Sequence, residues 1–81
     1  MFPVDPNDFN PLGLTRIYYN GTKNGPLIRW IDPITEKEVF RWDANINRPN
    51  GPHYHIYGSG HYIPGISYIP EPYASIYFPK N

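Results

Sequence analysis

The residues able to do chemistry in this chain are concentrated in one stretch, VFRWDANINRPNGPHYHIYGSGHY, which runs from Val39 to Tyr62 and holds all three histidines. His53 and His55 flank Tyr54, and Arg41 and Asp43 stand upstream with the same alternating spacing. In extended chain, alternate side chains point to one side. Two strands here would therefore bring Arg41, Asp43, His53 and His55 to a single polar face. Imidazole titrates near ~6.5, so two of them supply a neutral base and a charged acid around neutral pH. Such a pair, with a guanidinium that matches phosphate oxygens, is the material for cleaving RNA through its own 2′-hydroxyl without a metal or other cofactor. On this reading His53 and His55 serve as base and acid, and Asp43 orients an imidazole or acts as the base. Arg41 or Arg48 clamps the phosphate. His61 is held in reserve as a substrate contact, and Tyr54, Tyr57 and Tyr62 are stacking partners for unpaired bases.

Two other readings compete. His-x-His on a strand puts two imidazoles on one face, and His61 or Asp43 can complete a three-ligand metal site with an open position. Alternatively, the Tyr-rich surface is a noncatalytic module that meets a protein partner. Solvent-facing strand positions also carry polar rings with no role, and His53 and His61 fit that description. Trp30 and Trp42 are expected in the core. Glu36-Lys37-Glu38 reads as a solvated turn and Glu71, between two prolines, as loop.

Composition bounds what can hold these residues in place. Eighty-one residues make one domain, and a core of this size is marginal. Cysteine is absent, which removes disulfides and thiolate metal sites. That absence suits a reducing cytosol and equally a protein that must cross compartments. Seven acidic residues balance seven basic ones, whereas nucleic-acid binders usually carry a basic excess. No apolar run approaches the ~20 residues of a membrane span, and the N-terminus lacks a basic region followed by an apolar one. Eight Tyr, four Phe and two Trp favour pleated, half-buried surfaces, while eleven prolines and seven glycines interrupt any long helix. The expected fold is all-β: a small twisted antiparallel sheet of four to six short strands, curled on itself, with little or no helix.

Along the chain, residues 1–14 have four breakers and no periodicity and read as an extended arm or linker, leaving 15–81 as the compact domain. Strands are expected over Thr15–Tyr19, Leu27–Ile31, Glu38–Asp43, His53–Tyr57 and His61–Ile63. Asn20-Gly21, Asp32-Pro33, the ANINRPNGP loop and Gly58-Ser59-Gly60 separate them. Phe40, Trp42, Tyr54 and Ile56 would face inward, with Val39, Arg41 and Asp43 opposite.

Two strings resemble known families. Asn10-Pro11-Leu12-Gly13-Leu14, preceded by VDPNDF, looks like the junction that precedes the variable toxin domain in bacterial YD-repeat (Rhs and wall-associated) polymorphic toxins. The core from Ile28 to Gly65 is similar to the cytotoxic domain of colicins that cleave ribosomal RNA, through Phe40-Arg41-Trp42-Asp43, the strand Gly51–Tyr57 and the turn Ser59-Gly60-His61. The chain departs from that pattern at Ile46, where the family has its histidine. It also lacks the strand glutamate and reduces the basic tail to Lys80. Asp43 transfers directly, and His53 and His55 replace the missing pair. The resemblance implies a secreted toxin domain that acts as a ribonuclease on ribosomal or transfer RNA in the target-cell cytoplasm. It also implies a monomer paired with a cognate, acidic immunity protein.

Overall fold

A computed structural model describes residues 1–80. Five strands form one antiparallel sheet in simple sequence order: β1 (Thr15–Tyr19), β2 (Leu27–Ile31), β3 (Glu38–Asp43), β4 (His53–Ile56) and β5 (His61–Tyr62). A 3-10 turn over Pro6–Asp8 and a single helical turn, α1 (Tyr73–Tyr77), are the other regular elements. The all-β expectation holds. The sheet is open, so its core is shielded by something other than its own curl. No helix among the described residues is long and apolar enough to cross a membrane.

Alternation builds the two faces. Ile28 and Trp30 of β2, Phe40 of β3, and Tyr54 and Ile56 of β4 are all buried on one side. That face is closed from outside the sheet by Phe2 and Phe9, which are fully buried. The expectation of an extended arm or linker over residues 1–14 is therefore corrected at Phe2 and Phe9, which belong to the core. The segment's three prolines and Gly13 allow no more regular structure there than the 3-10 turn, but two aromatic rings flanking that turn still gain ~1.5–3 kcal/mol each by leaving water. Phe9 sits among five rings (Phe2, Trp30, Phe40, Tyr54 and Phe78) with centroids 4.9–5.4 Å away. Backbone bonds stitch the segment down: Phe2 N–H donates to Ser67 O at 2.9 Å, Gly65 N–H to Phe2 O at 2.7 Å and Leu12 N–H to Tyr77 O at 2.9 Å. Gly65 is required where it stands, because its φ is +76° and a Cβ would lie 2.8 Å from Val4 Cγ2.

Tyr54 faces inward as its strand position implies and is the centre of this core, with no exposed surface, so the stacking role also offered for it is corrected. Its hydroxyl donates to Pro3 O at 2.8 Å, and burial, with Asp5 and Asp8 nearby, pushes its pKa well above the ordinary phenol value. Val39 also departs from expectation. The register slips between Trp30 and Ile31, so that Ile31 pairs with Glu38 while Trp30 pairs with Phe40. Val39 consequently packs against the core cluster. Strict alternation would have placed Glu38 on the core side with Phe40; the bulge turns it onto the opposite face.

Candidate functional site

The second face of the sheet has no helix packed on it among the described residues, and cross-strand pairing arranges it in rows. Ile17, Arg29, Arg41, His55 and His61 face one another in register across all five strands. Beside them, Leu27 pairs with Asp43 and Asp43 with His53. The sharing of one face by Arg41, Asp43, His53 and His55 is thus realised. His61 joins them because the β4–β5 hairpin sets it opposite His55.

The three imidazoles and Asp43 converge. His53 Nε2 and His55 Nε2 are 2.9 Å apart, and Asp43 Oδ2 lies 2.8 Å from His55 Nε2 and 3.7 Å from His53 Nε2. The His61 ring stacks on His53 at 4.8 Å and meets His55 edge-on at 4.4 Å. One ring nitrogen from each histidine lies within 4.8 Å of the other two. Side chains of Asp43, His53 and His55 retain 15–26% of their exposure, so the centre is partly desolvated and still reachable.

The loop before β4 sets the orientation. Gly51 O accepts from Asn45 Nδ2 at 3.1 Å and faces His53 Nδ1 at 3.0 Å. A carbonyl only accepts, so Nδ1 carries the proton and the neutral ring presents the Nε2 lone pair to the centre. Asn45 (φ +53°) and Gly51 (φ +67°) both occupy left-handed backbone to make this turn. The loop is itself pinned to the β1–β2 connection by Ile46 N–H to Asn24 O (2.9 Å) and Asn47 Nδ2 to Lys23 O (2.7 Å). The pKa of His55 is lowered, first by burial and then by His53, His61 and Arg41, against the opposing pull of Asp43.

Arg41 stands beside His55, as expected, but it is half of a larger unit that sequence reasoning missed. Glu38, read as part of a solvated turn, is only 8% exposed at its side chain. It accepts from Arg29 Nε at 2.7 Å and from Arg41 Nε and Nη2 at 3.2 Å. Arg29 Nη1 further donates to Tyr19 Oη at 3.2 Å, and the Glu38 bond raises the Arg29 pKa. The signal was present: arginines placed opposite each other on neighbouring strands repel unless a carboxylate stands between them. Tyr57 is 72% exposed and borders this clamp. Arg48 lies exposed in the β3–β4 loop and makes no ion pair among the described residues. Tyr62 packs at the core margin and shares a 2.6 Å hydrogen bond with Ser59 Oγ.

Compared with known proteins, the chain matches no family model, no curated protein and no solved structure.

Proposed function

We propose that the domain is a nuclease of the secreted-toxin class whose working centre is a divalent transition-metal site held by His53, His55 and His61, with Asp43 as its carboxylate. The observation that carries this reading is the meeting of three imidazoles at one point: His53 Nε2 and His55 Nε2 are 2.9 Å apart and a His61 nitrogen lies within 4.8 Å. An acid and a base serving opposite sides of one phosphorus must stand apart. Nitrogens that crowd together instead suit ligands to one ion, whose bonds of ~2.0–2.1 Å place them about 3.3 Å from each other. The Gly51 carbonyl on His53 Nδ1 is the outer hydrogen bond such a ligand uses. An ion of this kind lowers the pKa of a bound water toward ~7 and polarises a phosphoryl oxygen. Asp43 Oδ2, 2.8 Å from the same His55 nitrogen, is placed to join the imidazoles as a ligand or to take a proton from the bound water, and Arg41 stands beside them to hold a substrate phosphate. The toxin class, the RNA substrate and a cognate acidic immunity protein rest on the resemblances at Asn10–Leu14 and Trp42-Asp43.

The metal-independent reading draws on a different observation, the 2.8 Å Asp43–His55 hydrogen bond, which would position His55 as a base with Arg41 beside it. Two measurements separate the readings. Zinc added to chelator-stripped protein at a hundredfold excess over its Kd should stabilise the fold by ~2.7 kcal/mol, and His53→Ala should abolish that gain. RNA cleavage should stop in EDTA and return with zinc. Cleavage that persists in EDTA and leaves a 2′,3′-cyclic phosphate sinks the metal reading. Full toxicity of both His53→Ala and His55→Ala on expression in bacteria sinks both.

A further inference from the structure

The Arg29–Glu38–Arg41 clamp spends stability on a feature that packing does not need. Two guanidiniums directly opposite on neighbouring strands repel, and one carboxylate neutralises only one of them. The clamp taken alone therefore keeps one net positive charge next to His55, while the other carboxylate of this face, Asp43, sits against that histidine. The clamp is also rigid in a way that surface ion pairs usually are not. Arg29 is fixed by Glu38 on the neighbouring strand and by Tyr19 on the other side, and a bulge is used to bring Glu38 onto this face. Arg29 employs Nε and Nη1 and Arg41 employs Nε and Nη2, so among the described residues Arg29 Nη2 and Arg41 Nη1 keep their donors free. Both side chains are open to solvent, at 34% and 41%. Free N–H groups on oriented guanidiniums are what a phosphate takes.

Depressions lie on both sides of the histidine centre. On the β2–β3 side, about 420 Å³ is lined by the cations Arg29, Lys37 and Arg41, the carboxylates Glu36 and Glu38, Leu27 and the exposed ring of Tyr57, a balance of one positive charge. On the β4–β5 side, about 370 Å³ is lined by Asn50, Pro52, His53, His61 and Ile63. Strand order places Asp43 and His55 between them. Strands are ~4.8 Å apart, so Arg41 and Arg29 stand one and two strand spacings from His55, on the order of a nucleotide step.

We infer that the open face is a track for a single nucleic-acid strand, with the Arg29–Arg41 clamp gripping the phosphate next to the one being cut, Tyr57 stacking on its base, and the β4–β5 depression receiving the residue beyond. This deepens the nuclease reading and rests on it: the substrate is a single-stranded polynucleotide cut internally, because subsites on both sides of the centre exclude a preference for a terminal or mononucleotide ester. A flat face with one strand-wide row of donors also fits a single strand better than a duplex.

The test is fluorescence anisotropy of a fluorescein-labelled single-stranded RNA oligonucleotide on the chelator-treated full chain, over a salt series, with thermal melts to confirm that each variant folds. Arg41→Gln and Arg29→Gln should each weaken binding roughly tenfold and flatten the slope of log K against log salt by about 0.7. Arg41→Lys keeps the charge and loses the fork, so its affinity should fall with the slope retained. Equal binding of a poly-glutamate peptide, which would mark a docking site for an acidic protein, overturns the proposal. So does a slope unchanged in both glutamine variants, or no binding at all. Binding with the expected slope but without cleavage in zinc leaves the track standing and removes the nuclease reading. Hydrolysis of bis(4-nitrophenyl) phosphate without oligonucleotide binding does the reverse.

Discussion

Replacing Phe9 by alanine tests whether the N-terminal segment is part of the fold. The ring is 1% exposed and is surrounded by Phe2, Trp30, Phe40, Tyr54 and Phe78 at centroid distances up to 5.4 Å. Truncating a buried phenylalanine costs about 3–5 kcal/mol, part from lost transfer energy and part from the cavity. Three of these neighbours are themselves fixed in strands, which limits collapse into the hole and favours the upper half of that range. At ~0.05–0.15 kcal/mol per residue, an 81-residue domain has about 4–12 kcal/mol in total, so the variant should lose about a third to all of its stability. The assay is urea unfolding followed by the fluorescence of Trp30, which packs edge-on against Phe9 at 4.9 Å. With a slope of ~1 kcal/mol per molar for a chain this small, the midpoint should fall by about 4–5 M or the native baseline should vanish. A loss below ~1 kcal/mol, or an unchanged midpoint in a chain lacking residues 1–11, would refute the assignment of this segment to the core.

Glu38→Gln should cost about 1–3 kcal/mol, because it removes the charge that holds two facing guanidiniums. The deficit should shrink in 1 M salt, where their repulsion is screened; a salt-independent loss would show that Glu38 acts through packing alone. Glu36 has φ +62° in the β2–β3 turn, so Glu36→Gly should raise stability by up to ~1 kcal/mol, and a lower urea midpoint would contradict that strain. The pH response of the chelator-treated protein follows from His55. Its folded pKa is depressed, so its contribution is present above the unfolded value of ~6.5 and is lost as pH falls from there through the folded value. His55→Gln should flatten that decline in a pH series of denaturation midpoints.

Much of the sheet was legible because its strands are short and their boundaries are chemically marked. Thr15–Tyr19, Leu27–Ile31 and Glu38–Asp43 start and stop where turn residues and alternation place them. The convergence at the site was legible too, had register been followed: Arg41 pairs with His55 and Asp43 with His53, and the Gly58-Ser59-Gly60 connection brings His61 opposite His55. Glu38 was not, because a bulge reverses the parity on which face assignment depends. Nor was the role of Phe2 and Phe9, since breaker residues rule out regular structure but say nothing about burial. Tyr54 was read both ways, and only the covering segment, with Pro3 O waiting for its hydroxyl, decides between core and surface.

The stitching of head to tail governs when this domain can become structured. Phe9 rests on Phe78, Phe2 is bracketed by the backbone of residues 65–67, and the Leu12 amide waits for Tyr77 O. During synthesis Phe9 can meet Trp30, Phe40 and Tyr54 first, but its contact with Phe78 and the Leu12–Tyr77 bond form only once α1 has been made, and closure over such long separations is slow. The same holds for a chain threaded N-terminus first through a narrow channel: it would travel as an open polymer and complete its core only after Phe78 had passed.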